Sequence, residues 1–124
     1  MIKGSCLCGS VRYQADGTVG APAACHCTQC RKQSGHVWAS AYLEDGTLEI
    51  SGDVRWFQSS QKAKRGFCPT CGSALFWKHD DDAFTCFSTG SIDGPTGLLL
   101  RGHIHTADKG DYYTISAEEP QRET

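Results

Sequence analysis

Apolar and polar positions alternate over short stretches of this chain, and glycine closes nearly every one. Residues 10–15 (SVRYQA) read as a first strand. Residues 36–43 (HVWASAYL) put Val37, Ala39, Ala41 and Leu43 on one face and Trp38, Ser40 and Tyr42 on the other, the two-residue period of extended backbone. TLEI (47–50), VRWF (54–57), ALFW (74–77) and FTCFS (84–88) are further short strands, rich in β-branched and aromatic residues. The segment 103–115 supplies one or two more. A single helical turn is expected through TQCRKQSG after Cys27, with Thr28 as its cap and Gly35 as its stop. The pattern predicts a mainly β domain of short antiparallel strands over residues 1–116. The tail 117–124 (AEEPQRET) is polar, contains Pro120, and is expected to fray.

A chain of 124 residues makes one domain with a modest core. Its formal charge of −2 and the lack of a basic stripe argue against nucleic acid or an anionic membrane as the partner. No apolar run reaches the length of a membrane span. The opening MIKGSCLCGS has no signal-peptide apolar core, so a cytoplasmic location with reduced thiols is expected.

Cysteine changes the picture. The chain has eight, below the roughly 8–10% of a disulfide scaffold. Their spacing points to metal, because cysteines two or three apart are poor disulfide partners but good partners on one ion. CLCG carries Cys6 and Cys8, CPTCG carries Cys68 and Cys71, and CHCTQC carries Cys25, Cys27 and Cys30. A Cys-Pro-x-Cys-Gly turn is a zinc knuckle that supplies two ligands. Pairing it with CLCG closes a four-sulfur site, a structural one whose binding energy is folding energy.

That pairing leaves Cys25, Cys27 and Cys30 without a cysteine pair to complete them. Three protein ligands and one exchangeable position is the arrangement of reactive zinc sites. A small thiol in the open position would be held as thiolate, its nucleophilic form. Cys86 lies in an apolar run and reads as a buried small hydrophobe rather than a ligand. His26, between two ligands, is expected to point away from the metal. His103 and His105 would share one strand face and are weaker candidates for ligation. Arg31, Lys32 and Arg65 are candidates to hold a substrate carboxylate. The competing reading is a non-catalytic zinc module that binds a small thiol or a protein partner.

Five segments together, GSCLCGSVRY (4–13), CHCTQCRKQSG (25–35), FQSSQKAKRGFCPTCGSALFW (57–77), STGSIDG (88–94) and HIHTADKGDYYTI (103–115), closely resemble the glutathione-dependent formaldehyde-activating enzyme family, also called the centromere-protein-V-like domain. The resemblance implies an Mss4-like, β-tent fold of short strands organised around zinc knuckles. It implies two zinc ions per chain, a structural one on Cys6, Cys8, Cys68 and Cys71 and a catalytic, more labile one on Cys25, Cys27 and Cys30. It also implies a carbon–sulfur lyase-type reaction between glutathione and formaldehyde, giving S-(hydroxymethyl)glutathione. The chain departs from the family at His105, where an apolar residue is usual, and at KGDYY, where Ala-Pro-Trp is usual and Tyr112 takes the tryptophan position.

Overall fold

The computed structural model describes residues 1–124 and is mainly β. Ten strands follow in chain order: β1 (Ile2–Ser5), β2 (Arg12–Ala15), β3 (Gly20–Cys25), β4 (Trp38–Glu44), β5 (Leu48–Ser51), β6 (Arg55–Gln58), β7 (Ala63–Phe67), β8 (Ala74–His79), β9 (Phe84–Ser88) and β10 (Gly102–Ile104). The helix α1 (Thr28–Ser34) sits between β3 and β4. No helix is long and apolar enough to cross a membrane.

The strands form two sheets. One has three strands in the order β1-β2-β5, and the other has seven in the order β10-β3-β4-β9-β8-β7-β6. Pairing is antiparallel throughout except for β10 on β3, which is parallel. The main core lies between the sheets. Val11, Tyr13 and Ala15 come from the small sheet and its approach; Ala41, Leu43, Leu75, Phe76 and Phe87 come from the large one. Cys6 and Cys68 are part of the same cluster, so the first pair of cysteine turns closes one end of the core.

The alternation read in β4 is present, but its second face is covered at the Trp38 end and exposed at Tyr42. Ala41 and Leu43 join the core, while Trp38 is buried on the other side against Cys25 and Cys30. The register carries this second face across the sheet. Tyr42 pairs with Cys86, Cys86 with Trp77, Trp77 with Arg65, and Arg65 with Phe57, one cross-strand row through five strands. That row lies on the face away from the core cluster, and α1 is held to it through Arg65.

Three strands were not expected from the pattern: β1, β3 and β7. The sequence of β3, GAPAAC, has little strand propensity and contains a proline. Its register shifts between Gly20 and Ala23, so Pro22 falls at an irregularity, where its missing N–H costs no ladder bond. The segment 103–115 yields only β10 and a short 3-10 turn, not a second strand.

The tail also differs from expectation. Residues 119–122 lie beside β10, with His103 N–H donating to the Pro120 carbonyl (2.9 Å) and Arg122 N–H to the His103 carbonyl (3.0 Å). Here pairing with an open sheet edge outweighs the polar composition that suggested fraying.

Candidate metal centres

The quartet is built from two glycine-closed turns, one spanning four residues and one five. Gly9 N–H donates to the Cys6 carbonyl (3.1 Å) and Gly72 N–H to the Cys68 carbonyl (2.8 Å). Both glycines are left-handed, with φ of 81° and 80°, a conformation a side chain would strain. The turns aim amides at sulfur: Val11 N–H lies 3.2 Å from Cys6 Sγ and Cys71 N–H 3.5 Å from Cys68 Sγ. The four sulfurs of Cys6, Cys8, Cys68 and Cys71 all lie within 4.8 Å of one another. A tetrahedral site with metal–sulfur bonds of about 2.3 Å needs sulfurs about 3.8 Å apart. Cys6 and Cys8 are separated by 3.6 Å and Cys8 and Cys68 by 3.8 Å, so the donor set fits a zinc-sized ion.

Ser73 ties the two turns together, accepting from Leu7 N–H (3.0 Å) and reaching Cys71 Sγ (3.2 Å). Its hydroxyl pulls the Cys71 thiol down to about 5. Ser10 acts likewise on Cys68, which is pulled down to about 7. Both thiols therefore favour the thiolate that a metal requires.

The trio stands at one end of the seven-stranded sheet. Cys25 ends β3, Cys27 precedes α1, and Cys30 lies in the first turn of α1. Their sulfurs also lie within 4.8 Å of one another. Cys27, not Thr28, caps the helix: its sulfur accepts from Cys30 N–H at 3.3 Å. A cysteine at this position supplies the acceptor a serine or threonine would, which leaves Thr28 as the first helical residue. Gly35 ends the helix in the left-handed conformation, as the pattern predicts.

Arg65 is not free to hold a substrate carboxylate. It is only 6% exposed, and its guanidinium donates to Cys30 Sγ (3.5 and 3.6 Å), Gln29 Oε1 (3.2 Å) and Gln33 Oε1 (3.1 Å). The Cys25 thiol, acting as donor, and then Arg65 pull Cys30 down to about 6. Cys25 is pushed up, because it keeps the proton it donates to Cys30. The trio thus places a negative charge on Cys30, directly against a buried cation.

A cavity of about 320 Å³ opens on the trio. Trp38, Trp77, Cys86, His79 and His105 line it with the three cysteines. Cys86 is therefore not an idle core residue. It faces the same space as the trio, although its sulfur is outside the group of mutually close donors. Burial pushes its thiol up to about 11, which keeps it protonated at neutral pH.

The two histidines do not share a face. Strand β10 stops at Ile104, and His105 takes a left-handed φ of 54°, the one non-glycine residue with positive φ. That break in the alternation turns His105 to the cavity and leaves His103 on another path. Strain of this kind collects at functional sites.

His26 does point away from the sulfurs, but it is not a bystander. It is 2% exposed and sits in a string of hydrogen bonds. Tyr113 Oη is 2.6 Å from His26 Nδ1, His26 Nε2 is 2.8 Å from His103 Nδ1, and His103 Nε2 is 2.7 Å from Glu119 Oε2. An ionised Glu119 can only accept, which fixes the direction of every bond when both histidines are neutral. His103 donates to Glu119, His26 donates to His103, and Tyr113 donates to His26. Burial lowers the His26 pKa and favours that neutral form. A carboxylate in the tail is thus linked to the loop between two trio cysteines.

The pattern that defines the glutathione-dependent formaldehyde-activating enzyme family matches residues 1–108. The chain belongs to this family. An uncharacterized lyase of Schizosaccharomyces pombe is 23% identical over 121 residues, covering 92% of this chain and 85% of that protein. The crystal structure of a Rhodobacter sphaeroides protein has the same fold at 24% identity, with a TM-score of 0.64 over 77% of this chain and 91% of that one. For this member of the formaldehyde-activating enzyme family, both cysteine groups can hold metal ions.

Proposed function

We propose that the chain is a zinc-dependent enzyme of the carbon–sulfur lyase type. It joins a small thiol such as glutathione to formaldehyde at Cys25, Cys27 and Cys30, or releases them in reverse. The observation that carries this reading is the contrast between the two groups. The quartet is complete in protein sulfur, while the trio is one donor short and faces a cavity.

The reaction needs no outside reagent. The thiol sulfur forms a bond to the formaldehyde carbon, the carbon–oxygen π bond opens, and the sulfur's proton passes to the oxygen. A zinc ion held by the trio would lower the pKa of an incoming thiol and keep it as thiolate. The chain's own residues orient the reactants. Trp38 and Trp77 give the cavity apolar walls that limit water. His79 and His105 provide imidazoles in the same cavity for the hydroxyl that forms. Arg65 stabilises the negative charge on Cys30 from the cavity wall, where its guanidinium is already engaged by Cys30, Gln29 and Gln33. Most of the rate gain would come from holding thiol and aldehyde together.

The family match and the lyase name of the yeast relative support this assignment. The test is to follow adduct formation from glutathione and formaldehyde with zinc-loaded protein, and to count zinc with and without glutathione. The expected result is an accelerated reaction and two zinc ions per chain, one of them exchangeable. No acceleration over the uncatalysed reaction would sink the assignment.

A further inference from the structure

A second depression adjoins the cysteine cavity. It has a volume of about 660 Å³, within the range of sites for small ligands, and lies between α1 and the edge strand β6. Gln29 and Arg65 line both spaces, so the groove and the cavity share a wall. Phe57 and Phe67 give the groove an apolar floor, and Phe57 is 62% exposed. Lys32 and Arg55 stand at its edge.

Charge says what fits there. The chain has more acidic than basic residues, 14 against 12, yet no acidic side chain lines this groove. Arg65 is occupied by Cys30, Gln29 and Gln33. Lys32 and Arg55 take no part in the ion pairs Lys62–Asp81 and Lys78–Asp45, nor in the hydrogen bond between His103 and Glu119. The result is two unpaired cations beside exposed aromatic rings, next to the space that holds the sulfurs. A guanidinium binds a carboxylate through two parallel bonds, and an ammonium adds a second point charge. Aromatic faces suit the methylene and amide parts of a short peptide.

We propose that this groove holds the body of the thiol substrate, and that Lys32 and Arg55 select a peptide-like thiol bearing carboxylates over a neutral one. This rests on the reading that the trio engages a thiol, and it goes further by assigning the recognition of the rest of that molecule. The sulfur would enter the cavity past Gln29, while the carboxylates stay on the open side with Lys32 and Arg55. Lys32 keeps the role its sequence position suggested. Arg55, on a strand 25 residues from the CHCTQC motif, carries no such signal in the sequence.

S-methylglutathione isolates the groove from the metal, because its capped sulfur cannot become a thiolate. Its binding to the zinc-loaded full chain can be followed by tryptophan fluorescence, beside that of its diethyl ester. The acid should bind about tenfold more tightly than the ester, the scale of one charge-assisted hydrogen bond. Arg55→Ala should weaken the acid and leave the ester unchanged. Lys32→Ala combined with Arg55→Ala should weaken the acid further. Unchanged binding of the ester by Arg55→Ala is the check on folding, and β6 is an edge strand away from the trio.

Equal binding of acid and ester, or acid binding unaltered in both variants, would overturn the groove while leaving thiol capture intact. Capture is read separately, from sulfur-to-metal absorption in the cobalt-substituted protein. If neither glutathione nor 2-mercaptoethanol changes that absorption, the proposed function itself falls.

Discussion

At the quartet, the groups that touch sulfur come from the turns themselves: Val11 N–H on Cys6, Cys71 N–H on Cys68, and the Ser73 hydroxyl on Cys71. At the trio, the decisive partner is Arg65, which lies 35 residues from Cys30 and on another strand. The quartet closes one end of the core and has four donors. The trio has three, lies on the opposite face of the large sheet, and opens on a cavity. Local turns make a site that is closed and repeatable. The trio's donors come from one short stretch, which leaves a position open, and a residue on another strand sets their charge.

The comparison can be broken most forcefully at Cys68. A structural zinc site contributes about 10–16 kcal/mol in small zinc domains, as much as the whole stability of a typical domain. Cys68→Ala should therefore abolish the cooperative thermal transition, as circular dichroism would show. Retention of a sharp melt would mean that the quartet is not structural. Cys30→Ser should behave in the opposite way. The chain should stay folded, with a loss below about 2 kcal/mol, while zinc falls from two ions per chain to one.

Smaller effects sharpen the contrast. Tyr13 belongs to the core behind the quartet, where burial pushes its phenol up to about 12. The unfolded chain ionises it near 10, so the folded state holds a proton that the unfolded state has lost. That contribution is full below pH 10 and falls away as pH rises towards 12. It amounts to about 3 kcal/mol. Tyr13→Phe should remove that slope from alkaline denaturation curves and leave the trio untouched. Glu119→Gln should have the smallest effect, about 1 kcal/mol of stability. Its mark is selective: zinc at the trio should loosen, while zinc at the quartet holds. Equal loosening at both sites would mean the string from Glu119 to His26 serves the fold alone.

Much of this was legible in the chain. Cys-x-Cys and Cys-x-x-Cys spacings carry their meaning locally, so the grouping of the seven cysteines could be read directly. Alternation marked β2, β4, β5, β6, β8 and β9. It failed for β3, whose Ala-Pro-Ala-Ala run is extended because strands pair on both sides of it. It failed for β7 too, where Arg65 interrupts an apolar pattern because its charge is answered by Cys30. The string through His26 left no local trace. Its partners His103 and Tyr113 lie 77 and 87 residues away, and no spacing rule reaches that far. His105 broke the expected strand by its backbone, not by its residue type.

The quartet joins residues about sixty positions apart in the chain, as between Cys8 and Cys68. On a ribosome, at roughly 5–20 residues per second, its first turn emerges seconds before its second. During that interval Cys6 and Cys8 are a bare pair of thiols with no site to complete. For the first part of it the small sheet is also incomplete, since β5 must still arrive to pair with β2. Metal uptake at the quartet would thus await synthesis of the CPTCG turn. A nascent chain short of Cys71 would have no way to draw on the stability that a closed, metal-filled site would give the finished one.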